Sequence, residues 1–323
     1  MIGINSDAAM SFETIQKLSL ADAMNLPFRQ SLADTDKAVV QICHGLAEHS
    51  ARYVRFAQAL NRAGFHVYAS DHRGHGANIG VQAPKGVFAL RNGHALVISD
   101  VLALNRHIRH SHPGLPVILF GHSMGGLIAL NYVQAHGQTI DGVAIWNANL
   151  GSPAANNAAL ALLYAERMLK GSDVPSTILP RLTFRAWGNA IAGNRTPFDW
   201  LSHETCEVDA YIADPLCGFD PSVALWIDIF HLMKNATSDS AFAPIRRDLP
   251  FNLVGGAEDP ATNNGAAVRK LENKMRQMGF GNLHCTIYAR MRHESLNETD
   301  QQEVTQNFLN WLDEVLPSSP ISG

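Results

Sequence analysis

Residues 121–125 read Gly121-His122-Ser123-Met124-Gly125, a Gly-x-Ser-x-Gly pattern with Gly126 directly behind it. The apolar run Val117-Ile118-Leu119-Phe120 precedes it, and Met124 to His136 reads as a helix. A serine at so tight a strand-to-helix turn needs glycine on both sides, and its hydroxyl is lifted clear of the sheet edge. The hydroxyl is a weak nucleophile unless a base takes its proton. The pattern therefore obliges the chain to supply a base, an acid that orients the base, and donors for an oxyanion.

In parallel α/β sheets ligands bind at the C-terminal ends of the strands, so these partners belong in the loops that follow the apolar runs. The run Ala38–Cys43 leads into His44-Gly45-Leu46-Ala47-Glu48-His49, and Phe251–Val254 leads into Gly255-Gly256-Ala257-Glu258-Asp259-Pro260. Leu283–Tyr288 leads into Ala289-Arg290-Met291-Arg292-His293-Glu294. Ser123, Asp259 and His293 thus follow one another in the nucleophile, acid, base order of such a sheet. His293 would take the serine proton and return it to the leaving group, and Asp259 would fix its tautomer. Glu258 is the competing acid; Asp259 is preferred because neighbouring residues point apart and a short side chain holds an imidazole more rigidly. The backbone N–H groups of Leu46 and Met124 are the expected oxyanion donors. His44, Gly45 and His122 flank them as candidate substrate contacts.

The elements that must position these residues alternate. Residues 11–35 read as an antiparallel hairpin at the sheet edge. Strand and helix signals then alternate: 38–43, helix 51–63, 65–69, helix 95–110, 117–120, helix 124–136 and 142–146. Such alternation implies a mostly parallel sheet covered by helices on both faces. It stops near Asn147. From about 151 to 247 there are short helical patterns broken by prolines and rich in Trp and Phe, too apolar to stay unfolded. The expected organisation is a core over 1–150, a helical cap over 151–247, and the rest of the core over 248–323. In that last part a strand at 250–254, a helix at 266–278, a strand at 283–288 and a helix at 302–316 are expected.

With 46% hydrophobic and 17% charged residues, the chain fits a globular enzyme with a substantial core. Its net charge of −4 gives no reason to expect nucleic acid or an anionic membrane as partner. No apolar run is long enough to span a bilayer, and the first residues lack an export signal. The cysteines Cys43, Cys206, Cys217 and Cys285 show no CxxC spacing, with Cys43 and Cys285 placed in buried strands, so a reduced, cytoplasmic protein is the default. No metal is expected: His107, His110 and His112 cluster at a helix end without ligand spacing, where a helix dipole favours them anyway. Gly74, Gly76 and Gly80 follow a strand but lead into Pro84 and Gly86, not a helix. They read as a self-bracing loop around Asp71 and Arg73 rather than a nucleotide site.

Three motifs, His44-Gly-Leu-Ala-Glu-His-Ser-Ala-Arg-Tyr53, Asp71-His-Arg-Gly-His-Gly76 and Gly121-His-Ser-Met-Gly-Gly126, together resemble the monoacylglycerol lipase and lysophospholipase branch of the α/β-hydrolases. Phe198–Ser202, Val208–Phe219 and Arg292–Glu298 resemble its bacterial members. The resemblance covers nearly all the chain after residue 35. It implies an α/β-hydrolase fold and cleavage, without a cofactor, of carboxylic esters of a single acyl chain, monoacylglycerol-like or lysophospholipid. It also implies a cap that lines an acyl tunnel, and association with membranes or as dimers. Asp259-Pro-Ala-Thr-Asn-Asn264 departs from many bacterial relatives, which carry valine after the proline, so the pocket wall there differs. A serine aminopeptidase branch shares the fingerprint. The alternatives are a short-chain esterase, thioesterase or acyltransferase, and a non-catalytic binding protein of the same fold.

Overall fold

A computed structural model describes residues 12–316. The first eleven residues, where no export signal is expected, and residues 317–323 lie outside the described residues, as does the first position of the expected hairpin.

The sheet has eight strands: β1 (Ile15–Ser19), β2 (Asn25–Ser31), β3 (Ala38–Cys43), β4 (Phe65–Ser70), β5 (Val117–His122), β6 (Gly142–Trp146), β7 (Phe251–Gly256) and β8 (Leu283–Tyr288). Their order is β1-β2-β4-β3-β5-β6-β7-β8. The β1–β2 hairpin is antiparallel and pairs antiparallel with β4, while all pairings from β4 to β8 are parallel. The fold is the expected α/β-hydrolase arrangement.

The near-continuous apolar strands are explained by burial on two sides. Along β5, Val117 and Leu119 join one core while Ile118 and Phe120 join the other. The first core is closed by α2 (Gly93–Ser111), α3 (Met124–His136) and α9 (Ala266–Gln277), the second by α1 (Val54–Arg62) and α10 (Gln301–Val315). At the centre of the second, Phe120 meets Trp146 edge-on at 4.9 Å and Phe56 at 5.1 Å. The Trp146 indole N–H donates to Asn252 at 2.7 Å, so the buried polar atom is satisfied. β8 is only half-buried, because it is the edge strand. Cys285, expected in a buried strand, is accordingly only partly covered.

Between β6 and β7 the chain leaves the sheet for five helices: α4 (Pro153–Lys170), α5 (Leu179–Leu182), α6 (Phe184–Ala190), α7 (Thr205–Ala213) and α8 (Val223–Thr237). Ser152 caps α4 and Ser222 caps α8 through their side-chain oxygens, and Pro153 sits at the first position of α4. Among the described residues, no helix is long and apolar enough to cross a membrane.

The strand-to-helix turn after β5 is tightly confined. Ser123 has φ 55° and ψ −116°, outside the usual regions for a side chain. A Cβ on Gly121 would stand 2.2 Å from the Gly125 carbonyl oxygen, and one on Gly125 would stand 2.0 Å from the Cys43 carbonyl oxygen. Both clashes are with backbone, which cannot step aside. The two glycines are thus required by contact as well as by the turn. Gly125→Ala is expected to lower the unfolding free energy by roughly 1–3 kcal/mol or more. Urea denaturation checks this, and a midpoint equal to wild type would refute the contact.

Candidate active site

The turn presents Ser123 between the ends of β3, β7 and β8. Its Oγ lies 2.8 Å from Nε2 of His293, in the loop after β8. The other ring nitrogen, Nδ1, lies 3.0 Å from Oδ2 of Asp259, in the loop after β7. Asp259 and His293 are both buried. Oδ2 of Asp259 also accepts from the Thr262 hydroxyl at 2.8 Å and the Asn147 amide at 3.2 Å. Its Oδ1 accepts from the Ala261 N–H at 2.9 Å. Burial raises the carboxyl pKa, but the charge and hydrogen bond of His293, with those from Thr262 and Asn147, outweigh it and hold Asp259 below its usual value. Glu258 points elsewhere. It is about half exposed and meets His203 at 3.1 Å.

Leu46 and Met124 line the cavity above Ser123. Neither N–H has an acceptor among the described residues, whereas the Gly45 N–H is taken by Glu48 Oε1 at 2.5 Å. Gly45 and His122 also line the cavity. His44 does not, and that expectation is corrected. It is fully buried behind the loop, where Nε2 accepts from the His72 N–H at 2.9 Å and Nδ1 meets the Gly45 carbonyl at 2.8 Å. Its imidazole shapes the loop instead of facing a ligand. Burial lowers its pKa, against the raising charges of Asp71 and Glu48, which keeps the ring in the neutral form this pattern requires. Asp71 braces its loop as expected, accepting from the Ser50 and Ala77 N–H groups, both at 2.8 Å.

Sequence reasoning did not find a buried charge network beside the serine. Glu48 accepts from the Gly45 N–H, from the Tyr53 hydroxyl at 2.8 Å and from Arg52 at 2.6 Å. Arg52 grips Glu294 through two parallel hydrogen bonds of 2.6 and 2.7 Å. His122 closes the set: Nδ1 is 3.5 Å from Glu48 Oε1, and Nε2 is 3.0 Å from the His293 carbonyl. Burial lowers the His122 pKa, but the hydrogen bond and charge of Glu48 more than reverse this, so the imidazole sits above its usual value. Two carboxylates thus face one guanidinium and one imidazole that is readily protonated. The three-residue spacing of Gly45 and Glu48 was a usable signal, since an acidic side chain can reach back to such an N–H. Arg52 and Glu294, far apart in sequence, left none.

The cavity has a volume of about 840 Å3 including its open mouth. Helix α8 lines it with Trp226, Ile229, Phe230 and Met233, a stripe at i, i+3, i+4 and i+7 that the sequence displays. Phe184, Trp187, Trp200, Leu127 and Ala261 add to the apolar wall. Ala261, directly after Pro260, thus forms part of the pocket wall. Trp200 lies 4.9 Å from the His293 ring.

Removing Arg52 would leave Glu48 and Glu294 buried and unpaired, so Arg52→Met is expected to destabilise the fold by about 3–5 kcal/mol. For both carboxylates burial raises the pKa, but the hydrogen bond to His122 and the charge of Arg52 lower that of Glu48, and Arg52 lowers that of Glu294, each to below its usual value. They therefore contribute stability that is full above the ordinary pKa of about 4.3 and is lost as pH falls through their depressed folded values. Denaturant unfolding from pH 3 to 8 checks both. With Arg52 gone, burial is opposed by fewer charges and the folded-state pKa of both carboxylates rises. Arg52→Met should therefore lose less stability than wild type on acidification, the gap between the two narrowing as pH falls; parallel profiles would refute the pairing.

Residues 34–300 match the family model described as serine aminopeptidase, S33. Human monoglyceride lipase is 31% identical over 240 residues, covering 74% of this chain and 70% of that protein. The monoacylglycerol lipase of Mycolicibacterium smegmatis is 27% identical over 285 residues, 86% of this chain and 89% of the relative. Among solved structures, a thermostable carboxyl esterase from Bacillus coagulans in complex with glycerol superposes with TM-score 0.81 at 26% identity, covering 93% of this chain and 98% of that one. The chain belongs to the serine aminopeptidase, S33 family, within the monoacylglycerol lipase branch of the α/β-hydrolases.

Proposed function

We propose that the protein hydrolyses carboxylic esters of a single acyl chain, monoacylglycerol-like or lysophospholipid, through an acyl-enzyme on Ser123. The observation that carries this reading is the Ser123–His293–Asp259 hydrogen-bonded chain opening into an apolar cavity. The protein is a carboxylic ester hydrolase, in keeping with its relatives. In this reading residues 151–247 form a cap over the core parts 1–150 and 248–323, and α8 supplies the wall against which the acyl chain lies.

In the first half-reaction Ser123 Oγ attacks the ester carbonyl carbon as its proton passes to His293 Nε2. Asp259, charged and held by three further donors, stabilises the imidazolium and keeps Nδ1 protonated. The carbonyl oxygen becomes an oxyanion, for which the free N–H groups of Leu46 and Met124 are the donors, the latter at the N-terminus of α3. Collapse breaks the bond to the alcohol, which leaves with the proton from His293. Water then repeats the sequence and releases the acid. No step calls for a metal or cofactor.

Two further expectations are part of the proposal. Around the cap, Met168, Leu169 and Leu182 are 88%, 84% and 63% exposed, and Arg167, Lys170, Arg181 and Arg185 stand among them in sequence. Such an edge suits peripheral contact with a lipid surface, from which a lipid ester would be drawn; a homodimer through it is the alternative. The free state of all four cysteines favours a reducing, cytoplasmic setting.

The test is turnover of p-nitrophenyl esters of increasing acyl length. Activity should peak at medium or long chains and fall at least about 10^4-fold in Ser123→Ala. A short-chain peak would overturn the acyl-chain assignment, and undiminished turnover in the mutant would overturn the nucleophile. Asp259→Asn should lose about 10^4-fold in kcat while Glu258→Gln stays within a few fold. The reverse ranking would reassign the acid.

A further inference from the structure

Outside the site, one cluster of donor atoms joins two parts of the chain that the sheet does not connect. His49, in the loop after β3, places Nε2 2.8 Å from Oδ2 of Asp214, at the end of α7. The Cys217 thiol lies with them, and all three donor atoms fall within 4.8 Å of one another. Asp214 and Cys217 are brought to one side by a turn in which the Cys217 N–H donates to the Asp214 carbonyl at 3.0 Å. The turn is fixed to the loop independently: the Gly218 N–H donates to the Ala47 carbonyl at 3.0 Å, and the Tyr211 hydroxyl to the same oxygen at 2.9 Å. His49 and Cys217 are buried, while the Asp214 side chain keeps about 30% exposure and so offers a way in from solvent.

We propose that His49, Asp214 and Cys217 form a binding site for a divalent transition cation of the zinc type. One imidazole, one carboxylate and one thiolate are the donors such an ion prefers, and three protein ligands leave the fourth, tetrahedral position to water. Ligand bonds of about 2.0–2.3 Å place tetrahedral donors roughly 3.4–3.6 Å apart. The Nε2–Oδ2 pair therefore needs to open by about half an ångström, and the sulfur, within 4.8 Å of both, to draw in by at most about 1.2 Å.

The binding step balances simply. In the empty site Nε2–H donates to Asp214, so on binding that proton leaves to solvent and the metal-bound ring carries its proton on Nδ1, freeing the Nε2 lone pair for the ion. The Cys217 S–H bond breaks, its electron pair forms the metal–sulfur bond, and the proton leaves to solvent. Two anionic ligands then neutralise the dication. Nothing is oxidised or reduced. The charged groups acting on Cys217 are Arg52, Glu48, Asp214 and Glu294. Arg52 is already matched by its two carboxylates, so it does not repel the ion as a bare cation would. Occupancy would staple the segment after α7 to the loop that carries Leu46.

The test is titration of the metal-free protein with Co(II), then competition by Zn(II). Wild type should develop the near-ultraviolet thiolate-to-cobalt band and tetrahedral visible bands at one equivalent, strengthening as pH rises because a proton is released. Zn(II) should abolish both and raise the thermal midpoint. Cys217→Ser should lose the charge-transfer band and the zinc-induced shift, while Cys206→Ser, the exposed-thiol control, keeps both. His49→Gln should weaken binding at least tenfold. A band that survives Cys217→Ser, or none in wild type, overturns the site. If Cys217→Ser fails to fold, the His49→Gln titration decides alone, equal affinity counting against the site. None of these readouts uses ester hydrolysis, so their failure is distinct from failure of the proposed activity.

Discussion

The geometry around Ser123 depends on one constraint, the close passage of the β5–α3 turn over the end of β3. With Gly121 and Gly125 in near contact with backbone oxygens, the chain has no room for a relaxed turn, and Ser123 is left at φ 55°. Backbone held in such a region stores of order 1–3 kcal/mol and persists only when its surroundings over-determine it. Here they do. The Ser123 N–H donates to the Trp146 carbonyl at 2.8 Å, and its own carbonyl accepts from Gly126 at 2.9 Å and Leu127 at 3.2 Å. On this fixed backbone Oγ already meets His293 Nε2 at 2.8 Å, so the pair is aligned before a substrate arrives.

The second layer of order is electrostatic. The loops after β3, β5 and β8 each bury apolar residues, Ala47, Met124 and Met291, but ion pairs also tie them to one another. Glu48 lies on one and Glu294 on another, with Arg52 between them and His122 reaching the His293 carbonyl. Buried charges of this kind add little net stability over a well-packed apolar set, because desolvation offsets their attraction. What they supply is fixed register, since any shift of one loop breaks several bonds at once. Asn147 acts in the same way with neutral groups. It donates to Asp259 and accepts from the Ser295 hydroxyl at 3.1 Å, joining the acid and histidine loops across the end of β6.

The ends of the strands were legible in the sequence because a strand buried on both faces reads as an unbroken apolar run, and such runs end where chemistry begins. That is why the sequence points to Ser123, Asp259 and His293, the three side chains that the fold brings into one hydrogen-bonded chain. The hairpin, the strand β8 and the helices followed from period and punctuation, but the half-buried edge position of β8 did not, since Cys285 was expected in a buried strand. Arg52 and Glu294 were hidden because ion pairing across 242 residues leaves no periodic trace. His44 was misplaced for a related reason. Its neighbours face the cavity, and nothing in the string of residues says that the ring turns inward to accept the His72 N–H. The stripe on α8 was visible in principle, but proline-broken sequence around it obscured which face would meet the site.

The choice between Asp259 and Glu258 shows how local geometry settles a question that composition leaves open. Both carboxylates lie in the same loop, one residue apart, and either could match an imidazole in charge. Asp259 begins a short turn in which its own Oδ1 accepts from Ala261 two residues on, a bond that locks the carboxylate plane. Oδ2 is then left facing His293, Thr262 and Asn147. A glutamate at that position would carry an extra methylene, too long for the same turn and free to rotate. Glu258 falls on the opposite side of the chain, where it is half exposed against His203, itself also bound by Glu298 at 3.0 Å. An acid in that position would act through water, with its charge screened and its direction unfixed. Burial first raises the pKa of Asp259, yet the charge and hydrogen bond of His293, with the hydrogen bonds from Thr262 and Asn147, reverse the shift. It is that full complement of bonds, more than the carboxylate itself, that makes Asp259 an acid able to hold a charged imidazole in place.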